Sequence, residues 1–151
     1  MMMLYIINIL GGMIIVNNKE KYLQKVKDLE EAKKIIPKGS YYELNFKGTK
    51  KVVINKKGVY HLKSLYGVKT EMLEYKVYTD EKGRFDFCYH VYKAISPDGE
   101  EALGFAGADR REFSAVHNAI STSSTRAEIR AILELIAFGD LSGIEFVYGD
   151  G

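Results

Sequence analysis

Two strong turn signals, Asp80-Glu81-Lys82-Gly83 and Pro97-Asp98-Gly99, divide a stretch rich in tyrosine, phenylalanine and valine into three runs, Met72–Thr79, Arg84–Ile95 and Ala102–Ala108. Aromatic and β-branched residues between turns of this kind read as strands, and strands joined by such short connections pair with their neighbours. An antiparallel sheet of three strands is predicted. In the third run, Ala102-Leu103-Gly104-Phe105-Ala106-Gly107-Ala108, the glycines predict the close approach of another backbone.

Helical signals flank the sheet. Asn17-Asn18 reads as a cap for a helix in which Tyr22, Val26, Leu29, Ala32 and Ile36 recur at three- and four-residue spacing, and Pro37 and Gly39 stop it. Tyr41–Phe46 and Lys51–Ile54 read as strands around Lys47-Gly48-Thr49. Asn55 then caps a short helix over Lys56–Tyr66, with Val59, Leu62, Leu65 and Tyr66 on one face and Gly67 as its C-terminal cap. Beyond the sheet, Phe113, Val116, Ala119 and Ile120 begin a helical pattern that continues through Ala127–Phe138 to Gly139. Ser121–Thr125 either interrupt that helix, with Thr125 and Glu128 as a capping box, or lie inside a continuous one. The fold class that follows is α+β: an antiparallel, hairpin-rich sheet packed against a long C-terminal helix, with an N-terminal helix.

At 151 residues, with 46% hydrophobic residues and two prolines, the chain can form one compact domain, expected to span 17–151. Residues 1–16 carry no charge. They fall short of the roughly 20 apolar residues of a membrane-spanning helix and lack the basic start of a secretory signal. With Gly11-Gly12 in the middle, this segment reads as a short strand or a leader. The expectation is a soluble, cytoplasmic protein, and a lone cysteine, Cys88, excludes an internal disulfide framework. Abundant lysine and the absence of tryptophan fit a thermophile's composition.

The net charge of +2 conceals an asymmetry. Residues 19–69 hold fourteen lysines against five acids, a balance of +9, whereas residues 70–151 hold eight basic and fifteen acidic side chains, a balance of −7. Such a division suits an anion-binding face in the first half, subunits that meet through opposite fields, or simply a solvated lysine-rich surface.

Arg126 and Arg130 are the most suggestive pair. At i and i+4 they share a helical face about 6 Å apart along the axis, near the spacing of successive phosphates. With the hydroxyls of Ser121, Thr122, Ser123 and Thr125 and the backbone N–H groups of a helix N-terminus, they could cradle anionic oxygens. The same hydroxyls suit helix capping, and Arg130 could instead pair with Glu134. Lys50, Lys51, Lys56, Lys57 and Lys63 form a second candidate patch. Lys82 and Arg84, at a hairpin tip, and Tyr60 and Tyr66, as stacking surfaces, are further candidates for contact with nucleic acid. Most of the remaining tyrosines, among them Tyr75, Tyr78, Tyr89 and Tyr92, read as cross-strand pairs.

Catalytic patterns are weak. His61, His90 and His117 have no metal-site spacing, and Cys88 with His90 lacks a third group. Glu74-Tyr75-Lys76 has the acidic-x-Lys form of a nuclease strand without the upstream aspartate, and no phosphate-binding loop occurs. Neither enzymatic activity, a cofactor nor a bound metal is expected.

Taken in order, the chain has a helix, a tyrosine-rich meander with the turn Ser96-Pro97-Asp98-Gly99, a Gly-x-Ala strand, and a helix bearing Ser-Thr-Arg-Ala-x-x-Arg-Ala-Ile before Phe-Gly. This order resembles the single-strand annealing proteins: the eukaryotic Rad-fifty-two recombination mediator and the phage essential-recombination-function (Erf) proteins. It covers roughly residues 56–139, with Gly58–Val68 similar to the helix and aromatic-Gly turn that precede the family's sheet. The family's basic pair just before Phe-Gly is replaced here by Ile132 and Leu133, and the arginines come earlier, closer to the phage pattern. The resemblance implies a ring or filament of identical subunits that holds single-stranded DNA in a basic groove and anneals it without ATP or metal. A self-associating structural or interaction protein, for example a viral one, is the alternative expectation.

Overall fold

The computed structural model describes residues 2–136 and 145–148, and the chain divides into two units, Met1–Ile35 and Ile36–Gly151. The first unit is a single helix, α1 (Met2–Ile35). Residues 2–16 are therefore helical and form no strand, and Asn17-Asn18 lie inside the helix rather than capping it. No proline precedes Pro37, and the flanking Met, Leu and Ile residues outweigh the roughly 1 kcal/mol that each of Gly11 and Gly12 costs in a helix interior. Within α1, Gln24 Nε2 donates to Asp28 Oδ1 at 2.8 Å and Lys33 lies 3.8 Å from Glu30, both one turn apart. No helix among the described residues is long and apolar enough to cross a membrane.

The second unit has the α+β architecture. Its smaller sheet pairs β1 (Tyr41–Phe46) antiparallel with β2 (Thr49–Ile54), whose other side takes β6 (Glu145–Tyr148) in parallel, Lys51 opposite Glu145. The hairpin turns through Lys47 and Gly48, with φ of 51° and 78°, the left-handed pair that a two-residue connection requires. At its other end β2 runs into Asn55. There the side chain accepts from Gly58 N at 3.0 Å and donates to Gly39 O at 2.9 Å, so one residue both caps α2 (Lys56–Tyr66) and fixes it to the preceding turn. Gly67, at φ 66°, ends α2 as the sequence predicts.

The larger sheet is the expected meander, in the order β3 (Lys69–Thr79), β4 (Phe85–Ile95), β5 (Glu101–Asp109). Period-two alternation puts Cys88, His90 and Ala94 of β4 on a buried face, opposite Ala108, Ala106 and Ala102 of β5. Against this face lies α3 (Val116–Ile136), a continuous helix, so Ser121–Thr125 do not interrupt it and Thr125 does not cap. Ala119, Ser123, Ala127 and Ala131 are buried at four-residue spacing, a stripe of small side chains that brings helix and strand close together.

Contact is tightest at Gly104. A Cβ there would meet the carbonyl oxygen of Ala127 and the amide nitrogen of Ala131, and would lie 2.8 Å from Ala131 Cα. The prediction of a close backbone approach holds at this position. Those neighbours are main-chain atoms of a packed helix and have nowhere to retreat. Gly104→Ala should lower the unfolding free energy in urea by about 3 kcal/mol or prevent folding. Gly83→Asn, at a hairpin tip with nothing within 4 Å of the added Cβ, should cost less than about 1 kcal/mol; equal effects at the two sites would refute this account.

Candidate nucleic-acid interface

The basic candidates divide into those already held by other groups and those that face solvent. Arg126 belongs to the first kind. Its Nη2 lies 2.6 Å from Glu112 Oε1, its guanidinium sits 6.0 Å from the centre of the Phe113 ring, and its side chain is 19% exposed. Arg130 is exposed, and its Nη1 donates to the carbonyl oxygen of Phe105 at 3.0 Å, so its partner is β5 and not Glu134. Both arginines thus tie α3 to the β5 side of the sheet.

Two of the hydroxyls beside them, those of Ser123 and Ser124, are engaged, while Ser121 is exposed. Ser123 is fully buried and Ser124 Oγ is 2.7 Å from Tyr92 Oη, while Thr125 is half-buried. Because α3 begins at Val116, the N–H groups of residues 121–125 belong to the helix interior instead of an open N-terminus. The cradle imagined from the sequence is not formed there.

Lys63 and Tyr60 converge on a carboxylate that the sequence did not single out for this role. Glu128 accepts from Tyr60 Oη at 2.7 Å and from Thr70 Oγ1 at 2.8 Å, and lies 3.7 Å from Lys63 Nζ, which also donates to Thr70 Oγ1 at 2.9 Å. One side chain of α3 thereby fastens α2 and the start of β3. Tyr66, also on α2, is half-buried.

At the hairpin tip, Lys82 and Arg84 wrap an acid. Asp80 Oδ1 accepts from the backbone N–H groups of both residues, and Oδ2 takes Arg84 Nε and Arg110 Nη1, each at 3.2 Å. The backbone hydrogen bond from Arg84 holds the Asp80 carboxyl below its usual range. Asp109 does the same at the end of β5 for Glu112 and Arg111. The arginines here are thus paired with aspartates, whereas Lys82 engages Asp80 through its backbone alone and its side chain is exposed.

What remains is the outer face of α2. Lys56, Lys57, Tyr60, His61 and Ser64 recur with helical period and line an open depression of about 550 Å³. Lys56, Lys57 and His61 are exposed and, among the described residues, enter no ion pair. The opposite face carries buried Val59 and Leu62, and Gly58 is pressed between Ile54 and the Ser40 carbonyl, which fixes how the basic face is turned. Lys50 and Lys51 lie on β2, opposite Asn45 and Leu44, in the strand that feeds this helix. His61 has no metal-site spacing in the sequence, but it stands four residues from Lys57, which puts the two on one side of the helix.

Cys88 and His90 share a face, as predicted, but it is the buried one. His90 is 3% exposed, and its Nδ1 lies 2.8 Å from Ser123 Oγ, whose proton goes to the Ala106 carbonyl at 3.1 Å. His90 therefore donates from Nδ1. Burial holds its pKa below the ordinary value of 6.5, so unfolded chains take up a proton that the folded chain resists. Stability is complete above about pH 6.5 and falls as the pH drops towards the folded value. The urea midpoint of wild type should decline between about pH 7 and pH 5, and His90→Asn should flatten that part of the profile even if it lowers the whole curve; an equal slope in both proteins would remove His90 as the cause.

Among the described residues, no three His, Cys, Asp or Glu side chains are grouped so as to hold a metal ion. No family model matches the chain, and no curated protein matches it.

Proposed function

We propose that the chain binds single-stranded DNA along the solvent-facing side of α2, as a subunit of a self-associating annealing protein of the kind its sequence resembles. The observation that carries this reading is the convergence of Lys56, Lys57, His61, Tyr60 and Ser64 on one open depression. Two ammonium groups beside a hydroxyl and an imidazole suit a run of phosphates, and the half-buried Tyr60 ring borders the same surface. Lys50 and Lys51 would extend the track onto β2. Arg126 and Arg130 enter as the residues that brace α3 beneath it, and binding of this kind uses the backbone charge of DNA, without ATP or a metal.

A second reading, a structural or interaction protein that binds no nucleic acid, is supported by a different surface. On the face of the larger sheet turned away from α3, Leu103 is 57% and Phe105 71% exposed, next to a ring cluster of Tyr78, Phe87 and Tyr89. Tyr89 donates to Glu74 at 2.8 Å, which pushes its phenol up to about 12. Apolar area of this extent suits a protein partner.

Titration of labelled oligo-dT at two salt concentrations separates the readings. Wild type should bind with steep salt dependence, and Lys56→Ala/Lys57→Ala/His61→Ala should lose at least about tenfold in affinity, the salt slope falling by about 1 for each lysine removed. Arg126→Ala/Arg130→Ala should retain the slope while unfolding at lower urea. No binding by folded wild type at low salt would leave the interaction protein as the reading to pursue.

A further inference from the structure

β3 stands at one edge of the meander sheet and is eleven residues long. Residues 71–79 are exposed throughout, including Met72, Leu73, Tyr75, Val77 and Tyr78. An edge strand presents a row of unpaired N–H and C=O groups, and natural sheets blunt such edges with proline, charge or bulges. β3 has no proline, and its pairing with β4 is irregular only at Leu73, between the residues paired with Tyr92 and Val91, and near its end, between Tyr78 and Thr79. The other edge strand, β5, is more occupied: α3 presses on it at Gly104, and Arg130 holds the Phe105 carbonyl.

The charges of β3 select a partner. Pairing with β4 sets Glu74 opposite Val91 and Lys76 opposite Tyr89, so both charges stand on the face away from α3 with Tyr75 between them on the other. We propose that β3 pairs antiparallel with β3 of a second copy of this chain, about a twofold axis through Tyr75, so that Glu74 of each copy faces Lys76 of the other. The same register sets Leu73 against Val77, apolar against apolar, while the bulge at Leu73 leaves Met72 and Tyr78 on opposite faces. A shift of one residue puts Glu74 opposite Tyr75 or Val77. A shift of two puts Glu74 against Glu74 or Lys76 against Lys76, which is repulsive. The symmetric register is thus favoured by charge and by the Leu73–Val77 contact, and it joins two three-stranded sheets into one.

This pairing rests on the self-association in the annealing reading but gives it the form of a closed dimer, not by itself the ring or filament that the resemblance implies. It requires nothing of the α2 face and is measured without DNA, so either can fail alone. In antiparallel strands, residues on the axis have Cα atoms about 4.5 to 5.5 Å apart, within reach of a disulfide. Tyr75→Cys should therefore form a covalent dimer under mild oxidation, while Val77→Cys, whose two copies would lie about 14 Å apart, should not. Sedimentation of unmodified wild type should show a monomer–dimer equilibrium across the micromolar range. Glu74→Lys or Lys76→Glu alone should weaken it roughly tenfold, and Glu74→Lys/Lys76→Glu together should restore it to within about threefold. A wild type that stays monomeric, equal cross-linking at positions 75 and 77, or a double variant no better than the single ones would overturn the proposal.

Discussion

The approach of α3 to β5 governs the second unit. Where Gly104 lets the main chain of Ala127 and Ala131 come into contact with the strand, the helix axis is drawn against the sheet, and every longer side chain on α3 is placed by that approach. Glu128, about 100° around the helix from Ala127, then meets Tyr60, Lys63 and Thr70, so the position of α2 is passed on from the same interface. Asn55 completes the sequence of constraints at the other end of α2, through the turn at Gly39. The basic face of α2 is rigidly oriented because it is held at both ends, by polar contacts to two different parts of the unit.

Much of this architecture is legible locally. The meander follows from two turns and the alternation of its strands, and the limits of α2 follow from Asn55 and Gly67, because capping and turn formation are settled by a few consecutive residues. Gly104 was readable as a place of close approach, though not what would approach it. Segments decided by competing tendencies were harder. Hydroxyls at 121–125 favour a break, but Ser123 buries its hydroxyl against His90 and Ala106 and the helix runs on. Glu145–Tyr148 is a four-residue strand whose partner, β2, is far away in the sequence, and no periodicity marks so short a run.

The candidate site shows the same division between local and distant information. Lys56 and Lys57 are exposed on α2, on the side away from the buried Val59 and Leu62 that helical spacing marks as its inner face. Helical spacing also puts Arg126 and Arg130 near one another, but says nothing of Glu112 or of the Phe105 carbonyl, which reach the arginines only through the tertiary fold. A positive side chain is informative about binding once its internal partners are known; charge counts alone treat a guanidinium bound to a carboxylate and a solvated ammonium as equals. The excess of lysine in residues 19–69 therefore survives as a pointer, while the cationic groups of the second half are largely absorbed by neighbouring acids.

A stripe of small residues packs closely but presents a nearly smooth surface, and smooth surfaces can slide. Ala119, Ser123, Ala127 and Ala131 are spaced so that a translation of α3 by one turn would lay a similar stripe over the same strand. Ser123 removes that degeneracy. In the displaced arrangement Ala119 or Ala127 would stand over His90, leaving a buried imidazole N–H without an acceptor at a cost of about 1 to 3 kcal/mol. The helix is attached by its alanines and indexed by its serine.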